Sequence, residues 1–330
     1  MSQAQKDITS WSDKSGSFKR QVSSFRDVIE PNGKFPPEKG RYHLYVSLAC
    51  PWAHRALIVR KLKGLEDFFD VSTVHPHMLE KGWHFAKSEE NVKPANEHSD
   101  DTFPEATKDK LFGYSHLRDI YFKVQPDYSA RFTVPIIYDK KTNSIVNNES
   151  SEIIRFLNTA FNDEISDENK KSLDLYPKEL RKEIDELNEW VYNDVNNGVY
   201  KSGFATTQQA YEEAVKPLSK GLQKLEEILS DGREFLIGGR LTEADIRLYT
   251  TIVRYDPVYY VHFKCNFGLI RHDFPHLHKW LQRLYWKNPA FKDTTNFEHI
   301  KEHYYYSHKH INPFKIVPLG PNVDIEPLKE

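Results

Sequence analysis

The sequence predicts an α/β domain followed by an all-α domain, and three observations lead to that reading. First, an alternating, β-rich stretch at Tyr42–Ser47 runs into a helical pattern at Cys50–Arg60 and then a second β-rich stretch at Phe68–Val74. That is the spacing of a parallel strand–helix–strand unit. Second, Thr133–Tyr138 reads as a strand entered through proline, with a short hairpin partner at Ser144–Val146. Third, after Phe161 the strand signal all but stops, and helical patterns follow at 177–197, 207–230, 242–257 and 274–288. A chain of 330 residues suits two packed domains.

The elements follow in order. Residues 1–40 are polar and read as an extended N-terminal arm, with Phe18, Val22, Phe25 and Val28 at roughly helical spacing as the residues able to dock. The α/β domain spans 41–162. Its first helix has Pro51 in the first turn and Gly64 at the far end, both favoured there. Residues 75 to about 108 form a polar insertion carrying Trp83, and a helix is expected over 109–124. Ser150 is expected to cap a helix running through Phe161, with Ile153, Ile154, Phe156 and Leu157 as its apolar stripe. The all-α domain spans 163–312, where Thr242-Glu243-Ala244-Asp245 resembles a capping box with Asp in place of Glu. A Pro-rich tail, 313–330, is placed on the surface.

Composition excludes several classes. Lys plus Arg number 46 against 48 Asp plus Glu, a net charge of −2, so neither nucleic acid nor an anionic membrane is the main partner. No apolar run is long enough to cross a bilayer. Two cysteines, Cys50 and Cys265, rule out a disulfide framework and suit a reducing compartment. The start of the chain has no signal pattern, and its acids weaken a transit reading, so a cytoplasmic protein is expected.

Cys50 stands where a strand ends and a helix begins. The positive end of a helix dipole and its unpaired N–H groups favour thiolate, the nucleophilic form. Residue 53, where a dithiol motif would carry its second cysteine, is alanine. The site therefore needs an external thiol to resolve any mixed disulfide it forms. His54 and Arg55 follow and are given no catalytic role. Thr133-Val134-Pro135 is a candidate cis-proline turn whose Val134 backbone would pair with an extended peptide. Glu149-Ser150 pairs an acid, suited to an ammonium, with a hydroxyl at a helix start, suited to a carboxylate, although an N-cap alone explains the serine.

These pieces, in this order before a helical domain, resemble the glutathione transferase fold, with a thioredoxin-like first domain. More narrowly the chain resembles the glutathionyl-hydroquinone reductases, the Xi class related to Omega-class transferases. The resemblance runs from about Phe18 to about Pro321 through Leu48–Arg55, Gly82-Trp83, Arg131–Pro135, Val146–Ser151, Asn196–Tyr200, Thr242–Leu248, His262–Asn266, His303–Tyr305 and Ser307-His308. It implies that Cys50 is the catalytic thiolate and that Trp83, Arg131, Val134, Glu149 and Ser150 bind glutathione as cosubstrate. It implies catalytic roles for Tyr200 and Tyr304 at an aromatic substrate, with Tyr259 lining the pocket, no metal, and a homodimer. The implied reaction is reduction of glutathionyl-hydroquinones through a Cys50–glutathione mixed disulfide. The alternatives are a broader Omega-like thiol transferase acting on protein mixed disulfides, dehydroascorbate or methylated arsenic, and a non-enzymatic module of the same fold. Cys265, the tracts around His75-Pro76-His77 and His303–His310, and Asp245 read as structural.

Overall fold

In a computed structural model the described residues are 12–13, 15–87, 103 and 105–329. They form two compact units. The first holds Gln21–Leu173 and Glu298–His308; the second holds the described residues from Ser12 to Arg20, Asp174–Phe297, and the chain from Lys309 on. These differ from the contiguous ranges drawn from sequence in four places: the arm is shared between the units, the division falls after Leu173 and not after residue 162, the last helix joins the first unit, and the tail joins the second.

The first unit is built on a four-stranded sheet in the order β2-β1-β3-β4. β1 (Tyr42–Val46) leads through α1 (Pro51–Leu62) to β2 (Phe69–Thr73), which lies parallel to it with Tyr42 opposite Phe69 and Val46 opposite Thr73. α2 (Leu117–Val124) precedes β3 (Ile136–Asp139) and β4 (Ser144–Asn147), both joined antiparallel, and α3 (Ser150–Thr159) follows. All five residues of β1 are buried, as expected of a central strand covered on both faces. α4 (Glu168–Ser172) ends the continuous part of the unit.

Three local expectations change. The helix expected over 109–124 begins only at Leu117, because Asp109 draws the preceding chain into turns: its carboxylate accepts from the backbone N–H groups of Leu111, Phe112 and Tyr114 at 3.0–3.2 Å. β3 starts at Ile136 instead of Thr133, since Thr133 bonds to the Tyr121 hydroxyl and not to a strand. The arm is extended, not helical. Asp27 N–H donates to Val146 O at 3.0 Å and Asn148 N–H to Phe25 O at 3.1 Å, so the arm runs antiparallel beside β4. Ile29 and Phe35 are buried there, while Val22 and Val28 face solvent.

In the second unit α5 (Arg181–Trp190) continues through a wide turn, Val191–Asn196, into α6 (Gly198–Gly203). α7 (Gln208–Leu229) buries Leu218, Leu222, Leu225 and Leu229, a stripe at spacings of three and four. Gly203 allows the Phe263 ring to approach: a Cβ there would lie 2.1 Å from it. α8 (Glu243–Ile252) starts with the expected Thr242/Asp245 capping box, and Asp245 also accepts from the Leu236 N–H and the Trp280 indole N–H. Burial pushes the Asp245 carboxyl up to about 6, against the pull of those donors. α9 (Ile270–Asp273), α10 (Pro275–Lys287) and α11 (Pro289–Lys292) complete this unit, and α12 (Phe297–Ser307) returns to the first. The tail lies only partly on the surface. Phe314, Ile316 and Leu319 are exposed, but Glu326 O accepts from Gln282 and Trp286, and Ile325 is buried. No helix among the described residues is long and apolar enough to cross a membrane.

Candidate active site

Cys50 is the N-cap of α1 and is half-buried. Its thiol donates to the Val134 carbonyl, with sulfur and oxygen 3.7 Å apart. The Val134–Pro135 bond is cis. The turn after β1 and the turn before β3 therefore meet at the sulfur, because these two strands are neighbours in the sheet.

The next pair stands at the start of α3. Glu149, not Ser150, is the N-cap: Oε1 accepts from Ser151 N–H at 3.1 Å and from the Ser151 hydroxyl at 2.9 Å. Glu149 takes the cap because it is the last residue with extended backbone, while Ser150 is already helical. Its Oε2 accepts from the Ser23 hydroxyl at 2.9 Å, so the arm touches this residue. Ser150 becomes the first helical residue. Its hydroxyl accepts from Arg55 Nη1 at 3.4 Å, and the Arg55 guanidinium lies 4.4 Å from the Trp52 ring centre. Arg131 is half-buried, and its backbone N–H donates to Gln21 Oε1 at 3.1 Å.

Two residues of this region were not singled out by sequence reasoning. Arg55 is fully buried beneath Ser150, and the signal was an arginine among the apolar residues of the helix that follows the cysteine. Tyr121 is also fully buried. Its hydroxyl donates to Thr133 O at 2.7 Å and accepts from Thr133 N–H and Asn148 Nδ2, each at 3.2 Å. That one oxygen ties the Arg131–Pro135 turn to the residue before Glu149. Burial pushes its phenol pKa far up, so it remains a neutral donor. The sequence carries no signal for it, since nothing local links Tyr121 to either turn.

Trp83 is buried within the insertion and stacks on His303, with ring centres 4.6 Å apart and 28° between planes. Tyr304 is the next residue of α12, fully buried, with its ring edge-on to His303 at 5.2 Å and to His308 at 5.5 Å. Cys50, Trp83, Arg131, Val134, Glu149, Ser150 and Tyr304 thus all belong to the first unit. Tyr200 and Tyr259 belong to the second. Tyr200 is half-buried, stacked on Phe18 at 6.0 Å, with the Arg20 guanidinium 5.4 Å from its ring centre. Tyr259 is wholly buried and lies flat against Phe263 at 5.4 Å. Cys265 is fully buried in the same unit, and burial drives its thiol pKa well above the usual range.

A thiol at a helix N-terminus, an adjacent proline turn and a polar helix start, on a β2-β1-β3-β4 sheet, define a glutathione transferase first domain. Family models agree with this: residues 49–160 match the glutathione S-transferase N-terminal domain and residues 208–283 match its C-terminal domain. The chain belongs to the glutathione S-transferase family. It is 61% identical to the Xi glutathione transferase of Phanerochaete chrysosporium, whose crystal structure superposes with a TM-score of 0.90 over 96% of this chain and 97% of that one. It is 56% identical to glutathione S-transferase omega-like 2 of Schizosaccharomyces pombe, over 97% of this chain and 98% of the relative. It is 50% identical to the glutathionyl-hydroquinone reductase YqjG of Escherichia coli, over 94% of this chain and 91% of the relative. The glutathione-bound structure of YqjG superposes with a TM-score of 0.82, over 92% of this chain and 95% of that one.

Proposed function

We propose that this protein is a glutathione-dependent reductase of glutathionyl-hydroquinones. Glutathione is its cosubstrate. The observation that carries the reading is Cys50: a half-exposed thiol at the N-cap of α1, beside the Val134 carbonyl, with alanine at position 53. A lone thiol in such a setting forms mixed disulfides and cannot resolve them itself.

The Cys50 thiolate attacks the sulfur of the glutathionyl thioether. An S–S bond forms to Cys50, the carbon–sulfur bond breaks, and its electron pair stays on the ring carbon, which takes a proton to give the hydroquinone. A second glutathione thiolate then attacks the Cys50 mixed disulfide, releasing glutathione disulfide and restoring the Cys50 thiolate. The ring carbon is reduced and the two glutathiones are oxidised, so the electrons balance. On ionisation the thiol's bond to Val134 O is lost, and the N-terminal N–H groups of α1 favour the anion that forms.

The remaining roles are proposals from residue chemistry. Val134 pairs through its backbone with the cysteinyl part of glutathione. Glu149 and Ser150 take the ammonium and carboxylate of the γ-glutamyl end, with Arg55 adding positive charge beneath the serine. Arg131 meets the other carboxylate, and Trp83 covers the peptide. Tyr200 and Tyr304 serve the aromatic ring, one as stacking wall and one as proton donor, and Tyr259 backs the wall. We further propose a cytoplasmic homodimer.

The test is release of free hydroquinone from a glutathionyl-hydroquinone with excess glutathione, for wild type and Cys50→Ser. Release by wild type that falls to the uncatalysed rate in the serine variant supports the reading. Glutathione binding without release from wild type overturns it in favour of a thiol transferase acting on other mixed disulfides.

A further inference from the structure

α12 carries a histidine whose surroundings leave it little freedom. His303 Nδ1 lies 2.9 Å from the Pro76 carbonyl oxygen. A carbonyl can only accept, so Nδ1 carries the proton and the tautomer is set. The same ring lies against the Trp83 indole, 4.6 Å between centres and 28° from parallel. The segment before Trp83 is gripped by α12 at three more places. Glu302 Oε2 meets His77 Nε2 at 2.9 Å, Ser307 Oγ accepts from the Met78 N–H at 2.9 Å, and the Tyr306 ring lies flat on His77 at 3.5 Å. His303 and Trp83 are both buried. All of these residues belong to the first unit.

We propose that His303 is a positioning residue for glutathione, holding the Trp83 indole in the orientation in which it covers the bound tripeptide. The proposal rests on the reading of Trp83 given above. The hydrogen bond to Pro76 fixes the imidazole plane, and the imidazole plane fixes the indole. Without that backing the indole gains rotamers that do not cover the peptide, and binding has to restore the order. The loss expected from freeing one such side chain is about two- to tenfold in affinity.

The experiment is a double-mutant cycle read by calorimetric titration of S-methylglutathione, which cannot form a disulfide with Cys50. Wild type, Trp83→Ala, His303→Ala, the double variant and His303→Phe are compared, with melting curves to establish folding. The expected result is that each single alanine variant binds about two- to tenfold more weakly and that the double variant is no weaker than Trp83→Ala. His303→Phe keeps a flat ring against the indole but loses the bond to Pro76, so its loss is expected to be no larger than that of His303→Ala and smaller than that of Trp83→Ala. An equal loss from His303→Ala with and without Trp83, or no loss from it while Trp83→Ala binds weakly, overturns the positioning role. A phenylalanine variant that folds and binds as weakly as Trp83→Ala overturns stacking as its basis, which keeps the test decisive if the alanine variant does not fold. Unchanged affinity in Trp83→Ala removes the cover itself, a separate outcome that rejects the reading of Trp83 along with the role of His303.

Discussion

Tyr121→Phe removes one oxygen and keeps the ring, whose neighbours Tyr128 and Phe132 lie 4.7 and 5.6 Å away between ring centres. The oxygen has four hydrogen-bond partners, Thr133 O, Thr133 N–H, the Thr133 hydroxyl and Asn148 Nδ2, at 2.7–3.3 Å. Tyr121 is fully buried, so water does not readily replace it. Each group left without a partner costs on the order of 1 kcal/mol, and the variant is expected to lose about 2–4 kcal/mol in stability. The same change unties the turn bearing Arg131 and Val134 from the residue preceding Glu149. Glutathione affinity is therefore expected to fall together with stability, whereas a purely structural defect far from the site would spare binding in the molecules still folded. Urea unfolding gives the first quantity, and titration with S-methylglutathione well below the unfolding midpoint gives the second. A stability loss below about 0.5 kcal/mol, with unchanged affinity, refutes the argument that this hydroxyl joins the two turns.

Iodoacetamide is expected to label one cysteine in the native protein and two after denaturation, since Cys50 is half-exposed and Cys265 is buried with its thiol pKa raised by burial. Mass spectrometry reads the result, and rapid native labelling of Cys265 contradicts it. Stability is expected to fall as pH drops from 8 to 5. Burial holds the His43 imidazole down to about 4 and depresses His75 further, so between their ordinary value and these the unfolded chain takes up protons that the folded chain refuses. Each contributes up to about 2 kcal/mol of loss at pH 5. Asp245, raised by burial to about 6, works in the opposite sense, because the folded chain binds its proton first and gains about 1 kcal/mol over the same range. A urea midpoint that stays level or rises between pH 8 and 5 contradicts the net sign.

The sequence made the strand–helix–strand unit, Cys50 and the capping box at Thr242 legible because each is a local pattern: alternation, a proline in the first turn, an acid three residues after a threonine. What it hid was set by contacts distant in the chain. The turns at 109–116 form because Asp109 has several backbone N–H groups within reach, which competes with helix and has no periodicity to read. The cap at α3 is Glu149 and not Ser150 because the helix begins one residue earlier than the serine's cap-like chemistry suggests, and the acid is also held by Ser23, more than a hundred residues away. The helical spacing of Phe18, Val22, Phe25 and Val28 was coincidental in a segment that pairs beside β4. Trp83 was found through its family motif, while its partner His303 lay in a tract read as structural filler.

The first unit is finished by residues that the ribosome adds near the end of the chain. Glu298–His308 follows Asp174–Phe297, the main body of the second unit, in the chain, and it supplies contacts to His77, Met78 and Trp83. A nascent chain therefore exposes the Pro76–Trp83 segment and its histidines until nearly all of the protein has been made. The segment that carries Trp83 therefore gains its α12 contacts only late in translation, and a chain truncated before Glu298 lacks them.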